Sequence, residues 1–86
     1  MPRISSFYGI AITMYWRDHP PPHFHAGYGE HDAQIEIETL EVIEGELPGR
    51  ALRLIREWAA EHRSELEANW ERARAQEPLE KIEPLP

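Results

Sequence analysis

The chain has 86 residues, 41% apolar and 29% charged, which describes one small domain with a modest core and is too hydrophobic for a disordered segment. Cysteine is absent, so a disulfide framework, a thiolate metal site and a cysteine nucleophile are excluded. Nine basic against sixteen acidic residues give a net charge of −7, which excludes a stand-alone binder of nucleic-acid backbones; any such surface must be local and built on arginine.

Two further bounds follow from size. A single core near the roughly 70–80-residue limit supplies about 3–5 kcal/mol, so a protein partner or a second copy, as in a homodimer, would add burial. No apolar run approaches the roughly 18 residues of a membrane span, and nothing at the N-terminus reads as a signal peptide. No membrane association is expected, and the cytoplasm is the expected compartment.

The first periodic segment is Gly9 to Arg17. Ile10, Ile12, Met14 and Trp16 alternate with Ala11, Thr13, Tyr15 and Arg17. Period two with β-branched and aromatic enrichment predicts a strand, with Trp16 in the core. It stops at Asp18, His19 and the prolines Pro20, Pro21 and Pro22, which cannot continue a ladder.

Two short runs follow, HFHAGY and HDAQIEIE, joined at Gly29-Glu30. A two-residue turn with Gly first is a type II′ hairpin. It pairs Tyr28 with His31, Ala26 with Ala33, His25 with Gln34, Phe24 with Ile35 and His23 with Glu36. One face then carries Phe24, Ala26, Tyr28, Ala33, Ile35 and Ile37, and the other His23, His25, Asp32, Gln34 and Glu36. A one-residue slip would mix them. After Ile37 the apolar phase changes, which predicts a turn near Glu38-Thr39 and a fourth short strand through Ile43.

From Pro48 to about Gln76 the period is helical. Ala51, Leu52, Ile55, Trp58, Ala59 and His62 form one stripe, continued by Leu66, Asn69, Trp70 and Ala73. A single helix of this span would be about 43 Å long, more than a small sheet can cover. Ser64 and Glu67 also stand at capping-box spacing, so a kink or break is expected near Arg63. Residues 1–76 therefore read as one α+β domain: a three- or four-stranded antiparallel meander, one face covered by a C-terminal helical segment of one kinked or two helices. Residues 77–86 read as an extended, Pro-rich tail, with Leu79, Ile82 and Leu85 available to dock on the sheet or on a partner.

The strongest chemical signal is the histidine cluster. His19, His23, His25 and His31 fall within thirteen residues. His23 and His25 project from one strand face with alpha carbons about 6.5 Å apart, opposite Glu36 and Gln34. Three readings stay open. In metal-free, ribonuclease-like acid–base chemistry, His23 and His25 would move protons at an RNA 2′-hydroxyl while Arg17 and Tyr15 hold the phosphate, with no cofactor. In a metal site, His23 and His25 would be joined by His19, Asp32 or Glu36. In a structural reading, the histidines pin the Pro-rich corner or join a protein interface, with His19, Glu36, Trp70 and Ile82 as binding residues. His62, within the apolar stripe, reads as a core histidine.

The opening MPRISSFYGI, the DH followed by PPHFH, and the later EW and NW pairs resemble family 4160 of the domains of unknown function. The resemblance runs from Pro2 to Leu85 and rests on residues such as Arg3, Tyr8, Asp18, His23, His25, Trp58, Asn69 and Trp70. Pro20 sits where the family is more variable, which bears only on the corner. The resemblance implies a small, stand-alone bacterial protein whose gene often neighbours one of another uncharacterised family, number 2442, in pairs that resemble toxin–antitoxin modules. On that basis the expected role is the toxin-like half, acting through the neighbouring gene's protein, with RNA as the candidate substrate.

Overall fold

The computed structural model describes residues 3–86. Met1 and Pro2, which open the resemblance, lie outside the described residues. Five strands, β1 (Arg3–Phe7), β2 (Ile10–Thr13), β3 (His23–Tyr28), β4 (His31–Glu36) and β5 (Val42–Gly45), precede helices α1 (Gly49–Glu61) and α2 (Arg63–Arg74). The strands pair in chain order in one antiparallel sheet. The class is α+β as expected, with a correction to the three or four expected strands. The unexpected one is β1: a register shift between Arg3 and Ser5 puts Ile4 and Ser5 both inward, which destroys the alternation a sequence reading depends on.

The central hairpin has the expected register, from Tyr28 opposite His31 to His23 opposite Glu36. Gly29 has φ +60°, whereas Glu30 does not enter the positive region, as a type II′ turn requires. At the end of β5, a side chain on Gly45 (φ +80°) would meet the Asp32 carbonyl oxygen at 2.2 Å, so only glycine closes this ladder. β2 is shorter than its periodicity suggests. The chain leaves the ladder after Thr13, and Trp16 is 50% exposed rather than in the core. No helix is long and apolar enough to cross a membrane.

The helices break at His62 (φ −124°, ψ 24°), next to the expected position. Ser64 makes no cap; His62 instead meets Glu65 at 2.5 Å and packs on Trp58, with ring centroids 5.6 Å apart. Trp58 stacks on Phe7 and Phe24 (centroids 5.3 and 6.0 Å), tying α1 to the inner sheet face. Burying each such side chain contributes about 1.5–3 kcal/mol. Arg56 and Arg63 donate to the Leu40 and Ile37 carbonyls at 2.9 and 3.1 Å, closing the turn between β4 and β5.

The C-terminal segment has no helix or strand, yet it is docked. Asn69, fully buried, donates to the Glu80 carbonyl (2.8 Å) and accepts from the Glu80 N–H (3.0 Å) and from Arg72 (2.8 Å). The Ile82 N–H donates to the Ile4 carbonyl at 2.8 Å, and the Trp58 indole N–H to the Glu83 carbonyl at 2.7 Å. Asn69→Ala removes three hydrogen bonds at once, two of them to the backbone of Glu80 in the docked segment. It should cost about 2–3 kcal/mol, measured as a lowered urea midpoint with an unchanged m-value.

Candidate functional site

The site begins where β2 ends. The Arg17 backbone turns left-handed (φ +60°) and its N–H reaches the Ala73 carbonyl at the end of α2 (3.4 Å). With the Gln76 amide turned so that its oxygen faces the guanidinium, Arg17 donates to it twice, at 3.1 Å each. The chain then passes Asp18, His19 and the prolines, where the Pro20–Pro21 peptide is cis, and enters β3 at His23. This path lays the Asp18 side chain against the first turn of β3.

Both strand histidines converge on one carboxylate oxygen. His23 Nε2 and His25 Nε2 lie 3.0 and 2.9 Å from Asp18 Oδ2. The other oxygen, Oδ1, accepts from the His19 N–H at 3.0 Å. The rings of His23 and His25 are 5.2 Å apart on one side of the strand, as alternation requires. Their exposure differs. His23 is 1% exposed, covered by Trp70 at 5.3 Å, while His25 is part-buried and meets the Tyr15 ring edge-on at 4.5 Å. Burial alone pushes the Asp18 carboxyl up. The His25 hydrogen bond, the His23 charge, the His19 N–H and the His23 hydrogen bond outweigh it and hold the group below the usual carboxylate range.

The hydrogen bonds of His23 constrain its protons. Nδ1 lies 2.7 Å from the Pro21 carbonyl, which only accepts, so Nδ1 carries a hydrogen. A neutral His23 then turns a bare Nε2 toward the Asp18 carboxylate, lone pair against lone pair. Something positive must occupy that gap, a proton or a cation. The ligand atoms of Asp18, His23 and His25 all lie within 4.8 Å of one another, the one such group among the described residues.

The cluster opens onto a row across the outer sheet face. Arg3 pairs with Thr13, Thr13 with His25, His25 with Gln34, and Gln34 with Glu44, one residue from each strand. Beside this row Ala11 and Gly27 are paired, and their small size leaves a shallow groove of about 540 Å³ that Tyr15 and Asp32 also line.

The arrangement places the other expected residues outside the convergent three. Glu36 stands opposite His23 in the ladder but bonds Thr39 (3.4 Å), and Asp18 is the carboxylate that receives the imidazoles. His19 faces Asp18 Oδ1 at 3.3 Å from the solvent side and stands apart from the three convergent ligands. Asp32 lines the groove away from them. Arg17 serves the end of α2 instead of the groove, and Arg3 supplies the guanidinium there. Trp70 and Ile82, each 4% exposed, belong to the chain's own core. Asp18 and Arg3 were visible only as matching residues of the resemblance, because neither lies in a periodic segment.

The model of one family, DUF4160, described as a domain of unknown function, matches residues 9–71. No curated protein and no solved structure matches the chain.

The heightened acidity of Asp18 gives a pH dependence of definite sign. A carboxyl lowered in the folded state adds stability that is complete above its unfolded value, about 3.9, and is lost as pH falls through the lower folded value. In metal-free buffer, the advantage of wild type over Asp18→Asn in urea midpoint should shrink as pH falls below about 4.

Proposed function

The chain belongs to the DUF4160 family, and we propose that it is the toxin-like component of a two-gene module, acting on RNA and working with a protein encoded by a neighbouring gene. One observation carries the reading on the chemical side. An imidazole oriented by a carboxylate, His25 on Asp18, lies in the same groove as a guanidinium, Arg3, and a phenol, Tyr15. An oriented imidazole beside a fixed positive charge is the equipment of phosphodiester transesterification. The gene pairing implied by the family resemblance supports the biological role.

The reaction would be attack of the ribose 2′-hydroxyl oxygen on its own phosphorus. The O2′–P bond forms and the P–O5′ bond breaks. His25 would take the proton from the 2′-hydroxyl and pass it to the departing 5′-oxygen, giving a 2′,3′-cyclic phosphate and a 5′-hydroxyl. The division of labour between two exposed histidines is revised, since His23 is buried and only His25 reaches the groove. Arg3 would hold a non-bridging phosphate oxygen. With net −7 on the chain, this contact is short-range, and affinity should fall with salt by little more than one phosphate's worth.

Expression in a bacterial host should slow growth, and co-expression of the neighbouring gene should restore it. Purified protein should cleave single-stranded RNA to 2′,3′-cyclic ends, with His25→Ala at least about 100-fold slower. Unimpaired growth together with intact RNA would sink the reading.

A further inference from the structure

We propose that Asp18, His23 and His25 bind one divalent transition-metal ion of the zinc class. The proposal stands on its own geometry and goes beyond the phosphodiester reading: an ion on His25 Nε2 would supply positive charge beside the groove in place of proton transfer by His25.

Four observations carry it. The donor set, two imidazole nitrogens and one carboxylate oxygen, suits zinc and its first-row neighbours and is poorly suited to magnesium or calcium, which take oxygen ligands. Two of the three spacings suit an ion. Ligands about 2.0–2.1 Å from a tetrahedral ion stand about 3.3 Å apart; Asp18 Oδ2 lies 3.0 and 2.9 Å from the two nitrogens, and all three atoms lie within 4.8 Å of one another, so the imidazoles close toward each other on binding. The outer partner is in place as well. His23 gives its Nδ1 hydrogen to the Pro21 carbonyl, which leaves Nε2 as the nitrogen that faces the carboxylate, the second-layer arrangement usual for a metal-bound imidazole.

The fourth observation is the charge of the groove. Asp32 and Glu44 line it against Arg3 alone, which is a poor surface for a phosphate. A doubly charged ion at the end of the His25 row offsets both acids. Three protein ligands leave at least one coordination position free, as in catalytic rather than structural sites. His25 is the one ligand that lines the groove, so the ion would lie beside it.

The test uses tag-free full-length protein stripped with chelator, titrated with zinc chloride alone by calorimetry. We expect one equivalent bound, no comparable heat with magnesium, and a visible d–d absorption band on cobalt substitution. His25→Ala, whose side chain is part-buried and whose fold is checked by circular dichroism, should weaken zinc binding at least about 100-fold, beyond the 10–100-fold usual for an outer-layer partner. Asp18→Asn should weaken it similarly if His25→Ala fails to fold. His19→Ala should leave the affinity within about threefold, as suits a residue outside the ligand set. Wild type that binds zinc no better than these two ligand variants overturns the proposal, even if RNA is cleaved. Zinc binding as described without any RNA cleavage keeps the metal site and removes the RNA reading instead.

Discussion

One carboxylate organises the polar half of this molecule. Asp18 sits in a loop, yet it receives two strand imidazoles and a backbone N–H, and through them it fixes the entry of the chain into the central strand. The arrangement needs β2 to stop early. Had the ladder continued past Thr13, the next residues of β2 would lie beside the start of β3, where the Asp18 side chain now enters. The left-handed turn at Arg17 and its bonds to the end of α2 hold the loop in that path.

The same contacts link the two layers. Trp70 covers His23 from α2, Ala73 and Gln76 receive Arg17, and Asn69, one residue from Trp70, clamps the C-terminal segment. Buried histidine, buried asparagine and loop arginine thus make separate polar contacts along one side of α2, a seam of three. Each member is costly when unpaired and stabilising when paired, so the seam specifies one docking of the helix rather than a sliding hydrophobic contact.

The legible parts of the sequence were those with a period. The hairpin around Gly29-Glu30 could be read to the residue because alternation and turn chemistry agree, and because a slipped register would have buried Gln34 and exposed Ile35. The helical stripe was readable for the same reason, including a break where a continuous rod would overrun the sheet. What escaped was aperiodic. β1 hides behind a bulge that turns two neighbours inward. Trp16 follows the alternation of β2 in sequence but lies beyond its last pair in space. The meeting of Asp18 with His23 and His25 depends on a bend through prolines and a left-handed arginine, which leaves no signature in spacing. Glu36 was the natural guess from the ladder, and a carboxylate five residues before His23 reached the ring first. The three-residue rhythm of Leu79, Ile82 and Leu85 announced an apolar side without saying that the chain itself would cover it.

That covering has a consequence for how copies of the molecule meet. A sheet with two free borders invites neighbours to extend it strand by strand. Here the outer border of β1 is occupied by the chain's own end, through Ile82 on Ile4, and the opposite border of β5 is flanked by Glu41, Glu44 and Glu46, whose like charges repel a second copy arriving in the same orientation. Ribbon extension is thus obstructed at one side by the chain's own end and opposed at the other by like charge.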